Sequence, residues 1–288
     1  MTQPPAIYGI VGYPLKHTLS PLMHNAAFKA LKVNAVYKTF ELQDEEELNL
    51  FFEDLKEANN PIFGLNITVP YKEKVLPFVD STDPFATKVG AVNTLLITHQ
   101  RKIHGFNTDG PGFLSHLNEL KFNLKDKRIA ILGAGGTTRS ILSVLCMINP
   151  RPSSIKLYNR TYSKAKKLID DMASRIDTSI IELVDNIEDL NIELADCLIN
   201  TTAVGLKSDD LLLVDPASFH RDMLVYDVIY NPSQTALLKA AKAKGARAVN
   251  GLGMLYYQRV LAFNHWAGMD IDDKYKKIMR QALESGVK

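Results

Sequence analysis

The run Gly133-Ala134-Gly135-Gly136-Thr137-Thr138-Arg139 constrains the fold more than any other stretch of the sequence. It follows directly on Arg128–Leu132, a short apolar run of the kind that forms a buried strand. It leads into Ser140–Ile148, whose apolar residues recur at helical spacing. A second apolar run, Ile155–Tyr158, precedes another helical pattern over Ser163–Ala173. Further short strands are expected at Ser179–Val184, Cys197–Asn200, Leu224–Ile229 and Arg247–Val249. Strand, glycine turn, helix, strand is the βαβ pattern of a parallel sheet covered on both faces. The fold class is therefore α/β, with a doubly wound nucleotide-binding domain over about 110–250.

The turn has its own chemistry. Gly133 permits the tight corner, and Gly135 lets the backbone come close to a pyrophosphate, whose charge is favoured at a helix amino terminus. A glycine turn also serves as a plain strand-to-helix corner; the strand before it and the helix after it favour a cofactor site here. Thr138 stands where the common GxGxxG pattern has its third glycine, so helix and strand are expected to pack differently. The end of the second strand then selects the cofactor. It carries Asn159-Arg160-Thr161, with Lys164 one turn into the helix, where an NAD site usually has Asp or Glu. A carboxylate would repel the 2′-phosphate of NADP, whereas a guanidinium binds it with two bonds. Two ordinary surface cations would look the same in isolation, but their place at this strand end points to NADP.

Composition narrows the partners. With 288 residues and roughly 150 per domain, about two domains are expected. Lys and Arg total 34 against 32 Asp and Glu, a net charge of +2, which argues against nucleic acid or an anionic membrane as the main partner. The clusters Lys239–Lys244 and Lys274–Lys277 read as solvated helix faces. No apolar run approaches the ~20 residues that cross a bilayer, and Met1-Thr-Gln-Pro-Pro lacks the pattern of a signal peptide. Cys146 and Cys197 are expected as reduced core residues, and neither the Cys nor the His residues have metal-ligand spacing, so no metal is expected. A cytoplasmic protein acting on a small molecule fits these features, with a homodimer left open.

The first third alternates strands and helices. Strands are expected at Ile7–Val11, Val36–Phe40 and within Pro61–Val69, and a helix over Ser20–Leu31. Asp44 with Glu47 predicts a capped helix whose inner stripe is Leu48, Phe51, Phe52 and Leu55. Val92–Thr98 and Lys102–Phe106 flank a polar turn and predict a hairpin. Leu252–Trp266 is an aromatic-rich helix expected to pack back on the first domain. Several polar residues sit where structure alone does not ask for them. Thr18-Leu19-Ser20-Pro21 opens a helix, and its hydroxyls are either a plain cap or a seat for a carboxylate. Asn66-Ile67-Thr68-Val69-Pro70-Tyr71-Lys72 places a lysine past a proline corner. Gly90–Thr94 and Gly105–Gly110 add Asn93 and Asp109 at other strand ends.

Taken in order, these segments resemble the shikimate dehydrogenase family. The resemblance is carried by Gly12-Tyr13-Pro14, Leu19–Asn25, Asn66–Lys72, Gly90–Thr94, Asn107–Gly110, Gly133–Arg139, Asn159–Thr161, Asn200–Gly205, Tyr230-Asn231-Pro232 and Gly251–Gln258. It implies a substrate domain formed by 1–109 with 251–288 returning to it, a Rossmann NADP domain over 110–250, and an active site in the cleft between them. The implied reaction is the reversible, NADP-dependent reduction of 3-dehydroshikimate to shikimate in aromatic amino-acid (chorismate) biosynthesis.

Position by position, the resemblance implies that Thr18 and Ser20 hold the substrate carboxylate. Thr68, Lys72, Asn93, Asp109 and Gln258 would surround the ring hydroxyls, with Tyr230 nearby. Gly133, Ala134, Gly135, Gly136 and Thr137 would cradle the pyrophosphate, and Arg139 closes that motif. Asn159, Arg160, Thr161 and Lys164 would hold the adenosine phosphate, and Thr202, Val228, Gly251 and Met254 would border the nicotinamide, although Met254 also suits a helix core. Lys72 and Asp109 form the expected acid–base pair, since a lysine can give a proton to the carbonyl oxygen that receives negative charge. His17 and His24 are assigned structural roles. One departure is Thr18, where the family usually has serine; its methyl group stiffens the carboxylate end, where quinate differs from shikimate. Competing readings are a quinate/shikimate dehydrogenase, a non-catalytic shikimate-binding sensor and a methyltransferase-type Rossmann protein. The last leaves Arg160 and the whole first domain without a role.

Overall fold

The structure, a computed structural model, describes residues 4–16, 18–207 and 209–287. Its chain divides into two compact units, one reaching to Thr108 and resuming over Tyr256–Gly286, the other spanning Asp109–Leu255. His17 lies outside the described residues.

The first unit is built on a sheet of order β2-β1-β3-β5-β6-β4. Its elements are β1 (Ala6–Gly12), α1 (Ser20–Leu31), β2 (Ala35–Glu41), α2 (Glu45–Asp54), β3 (Ile62–Ile67), β4 (Ser81–Thr82), α3 (Pro84–Val89), β5 (Thr94–Ile97) and β6 (Ile103–Phe106). Helical crossovers make β2 and β3 parallel to β1, while the short turn after β5 returns the chain antiparallel in register Leu95↔Gly105. The Asp44 carboxylate caps α2 by accepting the Glu47 N–H at 2.9 Å. Glu47 in turn accepts from Gln43 N, one residue earlier than a standard capping box uses. Leu48, Phe52 and Leu55 of the predicted stripe are buried with Val11, Leu65 and Ile67, each such side chain contributing about 1.5–3 kcal/mol, while Phe51 stays half-buried.

Aromatic residues cover the other face of that sheet. The Trp266 indole donates to Leu95 O at 2.9 Å and lies over Gly64, where a Cβ would come within 2.5 Å of its nitrogen. His24 is buried there, stacked on Tyr37 at 4.4 Å, the structural place foreseen for it.

The second unit opens with α4 (Asp109–Glu119) and continues through β7 (Arg128–Leu132), α5 (Gly136–Met147), β8 (Ser154–Tyr158), α6 (Tyr162–Ala173) and β9 (Ile181–Leu183). It ends with β10 (Cys197–Asn200), β11 (Leu224–Asp227), α7 (Ala236–Ala243), β12 (Arg247–Val249) and the first turn of α8 (Leu252–Ala267); the helix after it, α9 (Asp273–Ser285), packs on α1 of the first unit. The order β12-β11-β10-β7-β8-β9 is parallel throughout, the doubly wound Rossmann order. Its direction reverses between β7 and β10, the switch point where ligands of such sheets bind.

Four expectations are corrected. Helix α5 starts at Gly136 rather than Ser140, because Gly135 acts as its cap. Asp109 opens a helix, α4, instead of closing a strand. The chain leaves the first unit after Thr108, not after Asp109. It re-enters at Tyr256 rather than at 251, inside α8, whose hydrogen bonding is already running at Leu255 N to Gly251 O, 2.9 Å. Cys146 and Cys197 are free and buried. Among the described residues no helix is long and apolar enough to cross a membrane, and no His, Cys, Asp and Glu cluster could hold a metal ion.

Candidate active site

In the second unit, the turn after β7 stands at the switch point. Gly133 has φ +106°, a region that disfavours side chains, and a Cβ there would lie 2.6 Å from Thr201 Oγ1. Gly135 is different: its φ is −104° and nothing lies within 4 Å of where its Cβ would be. Among the described residues no neighbour accounts for a glycine at this position. The space at the amino terminus of α5 is open, and a helix amino terminus favours negative charge such as that of a pyrophosphate. Ala134 is buried, while Gly136 and Thr137 are half-buried around the same turn. Thr138 is fully buried, takes the Gly135 N–H at 3.0 Å and meets Thr201 Oγ1 at 2.7 Å. This is how the missing third glycine is accommodated. Arg139 is turned away from the cradle and pairs with Asp171 of α6.

At the end of β8, Asn159 Nδ2 bonds Thr161 O at 2.8 Å and shapes the loop into α6. Arg160, Thr161 and Lys164 are exposed, and among the described residues neither cation is paired with a carboxylate. Thr202 donates to Asn200 Oδ1 at 2.7 Å just past β10. Gly251 packs so closely that a Cβ would lie 2.0 Å from Val228 O, and Met254 is buried as a core side chain is. Asp109 is buried at the start of α4, and Tyr230 is half-buried past β11.

The first unit gathers the other polar residues. Thr68 N bonds Val11 O, and Tyr71 N bonds Thr68 O, both at 2.9 Å, closing the corner that leads to Lys72. Lys72 is only 8% exposed, and its carbonyl accepts the Val92 N–H at 2.8 Å, which fixes it beside the Asn93 segment. The Asn93 side-chain oxygen accepts from Thr108 N at 2.8 Å and Thr108 Oγ1 at 3.1 Å, so the amide is held in one orientation. Thr18 Oγ1 donates to Ser20 Oγ at 3.3 Å; Ser20 is wholly buried at the start of α1. Gln258 is 9% exposed on α8. A buried ammonium, an oriented amide and paired hydroxyls form a set suited to a polyhydroxylated acid.

Known proteins match this chain along nearly its whole length. Residues 10–95 match the shikimate dehydrogenase substrate binding domain, and residues 116–208 match the shikimate / quinate 5-dehydrogenase model. The shikimate dehydrogenase (NADP(+)) of Carboxydothermus hydrogenoformans is 42% identical over 280 residues, 96% of this chain and 95% of that protein. The chain belongs to the shikimate dehydrogenase family. Among solved structures, shikimate dehydrogenase from Aquifex aeolicus superposes with a TM-score of 0.86 at 35% identity, covering 98% of this chain and 99% of that one. A shikimate dehydrogenase in complex with NADP+ has the same TM-score, 0.86, at 34% identity, covering 99% and 96%.

Against the pattern of the shikimate dehydrogenase family, the structure adds residues that sequence reasoning missed. Asp227 is buried and accepts from Asn200 Nδ2 at 3.0 Å, Ile229 N at 3.1 Å and Thr235 Oγ1 at 2.6 Å. Burial raises its pKa above the usual carboxylate value. This carboxylate ties together the ends of β10 and β11, and through Asn200 it positions Thr202. Arg259, one residue past Gln258, is buried in the first unit with its Nε on Ser20. Its signal in the sequence was the one Lys or Arg in a helix that carries no Asp or Glu.

Proposed function

We infer that the chain is an NADP-dependent shikimate dehydrogenase, reversibly converting 3-dehydroshikimate and shikimate in aromatic amino-acid biosynthesis. The buried polar set of the first unit carries this reading, because a neutral apolar substrate would not repay the cost of burying those groups. The glycine turn, with its open space at Gly135, supports NADP in the second unit. Gly133–Thr137 would hold its pyrophosphate, and Arg160 and Lys164 its 2′-phosphate. NADPH, when bound, supplies the hydride for the ring ketone.

The remaining chemistry falls to the chain. Lys72 holds the proton that passes to the ketone oxygen, and its charge stabilises negative charge developing there. Asp109 is assigned to the neighbouring ring hydroxyl, and Asn93, Thr68 and Gln258 to the other hydroxyls. Thr18 and Ser20 hold the carboxylate. The roles rest on the match of motif and on the burial of Lys72, Asn93, Asp109, Ser20 and Gln258. Two buried free thiols support a reducing cytoplasmic setting.

A steady-state assay crossing NADP and NAD with shikimate and quinate tests the reading. The expected result is highest kcat/KM for shikimate with NADP. Absence of NADPH consumption with 3-dehydroshikimate would exclude the enzyme, and a preference for quinate would move the assignment to a quinate/shikimate dehydrogenase.

A further inference from the structure

We propose that Arg259 is a binding and specificity-determining residue that pairs its guanidinium with the carboxylate of the substrate. The proposal rests on the reading above that the substrate is a carboxylic acid whose carboxylate lies at the start of α1. Arg259 is 6% exposed on α8, and its Nε donates to Ser20 Oγ at 2.8 Å. Ser20 also accepts from Thr18 Oγ1, so guanidinium and hydroxyls converge on one spot. A guanidinium has five N–H donors in a fixed plane, and this single bond uses one of them.

The other withdrawn arginines have structural work to do. Arg139 pairs with Asp171, and Arg101 caps the carbonyls of Leu55, Asn60 and Ile62. Arg259 has no carboxylate partner among the described residues. Its neighbours His24 and Tyr37 bring no countercharge, since burial holds the imidazole neutral and the phenol protonated. A buried cation left without an anion is costly, and an incoming carboxylate removes that cost. Among the described residues the hydrogen bond of its guanidinium runs through Nε, to Ser20 Oγ. A planar fork with free donors beside two hydroxyls is suited to two-bond recognition of a carboxylate. The site is thereby committed to acids and discriminates against neutral polyol ketones.

The test compares NADPH-dependent reduction of 3-dehydroshikimate with that of its methyl ester, which removes the charge and keeps the ring. In Arg259→Met the acid-to-ester ratio of kcat/KM is expected to fall about 100-fold, chiefly through a raised KM for the acid, as loss of a charge-assisted pair implies. Arg259→Lys restores the charge without the fork and is expected to recover part of the ratio. A ratio in Arg259→Met within threefold of the parent overturns the proposal. If that variant yields no folded protein, an unchanged ratio in Arg259→Lys overturns it instead. Ser20→Ala separates the two readings. An unaltered KM for the acid in Ser20→Ala, with the ratio lost in Arg259→Met, rejects the hydroxyl seat and keeps the arginine. A raised KM in Ser20→Ala with the ratio intact in Arg259→Met rejects the arginine alone.

Discussion

The backbone N–H of Gly135 donates to the hydroxyl of Thr138 at 3.0 Å, and the same hydroxyl meets Thr201 at 2.7 Å. A threonine where a third glycine is common therefore ties the start of α5 to the end of β10. The tie fixes the backbone at Gly135 while leaving the space over its Cα open.

The two glycines of the turn should therefore respond differently to alanine. Gly135→Ala places a methyl group in the space assigned above to the pyrophosphate and meets nothing within 4 Å among the described residues. It is expected to raise the KM for NADPH about 10-fold or more, a loss of roughly 1.4 kcal/mol, while changing Tm little. Gly133→Ala forces a side chain into a positive-φ position against Thr201, and is expected to cost about 1–3 kcal/mol of stability. Thermal unfolding of both variants beside NADPH titrations checks the contrast. Equal loss of stability in the two would contradict it.

Arg160 should carry the choice between cofactors. It is exposed at the end of β8 and free of carboxylate partners among the described residues, so its removal costs no internal ion pair. Arg160→Glu adds repulsion to the lost contact, and kcat/KM for NADP is expected to fall at least about 30-fold, in line with a charge-assisted bond of roughly 2 kcal/mol. Efficiency with NAD should change far less. Matching losses with both cofactors would show that Arg160 acts on something other than the 2′-phosphate.

The strands other than β4, and the β5–β6 hairpin, were legible because each is a short, mainly apolar run closed by turn residues, whereas β4 is only Ser81 and Thr82 and carries no such pattern. Helix α4 was not, because Gly110, Pro111 and Gly112 sit in its first turn, where proline is tolerated but the helical pattern is broken. The start of α5 was hidden in the same way, glycine being a poor helix former yet an acceptable cap. Periodicity says nothing about Lys72 or Asn93; their place in the site came from the resemblance. Arg259 and Ser20 are 239 positions apart, and no local pattern can show that they touch. Asp227 was hidden in a strand by the same limit, its partners Asn200 and Thr235 belonging to other segments.

Lys72 is expected to separate turnover from binding. It is buried and anchored through the Val92 N–H, so truncation should leave the surrounding backbone in place. Lys72→Ala is expected to lower kcat by about 100- to 10,000-fold with a modest change in KM, the range for losing a positioned general acid. Steady-state kinetics on purified variant protein measure both constants. Near-normal turnover would remove Lys72 from the chemistry.

His24 should leave its mark on the pH dependence of stability. Burial holds its pKa well below the usual histidine value, with the positive charge of Arg259 acting in the same direction. The unfolded chain takes up a proton near pH 6.5 that the folded chain resists, so the unfolded state binds more protons below that pH. Stability from this group is complete above about pH 6.5 and falls as pH drops, by up to about 1.4 kcal/mol per unit. Phenylalanine keeps the stack on Tyr37 and Phe263 and cannot titrate. Urea unfolding of the parent and of His24→Phe at pH 7.0 and about pH 5.5 is expected to show a shallower loss in the variant, by about 1 kcal/mol. Parallel losses in the two proteins would mean that His24 is protonated in the folded state, and that the charge of Arg259 is not felt at its ring.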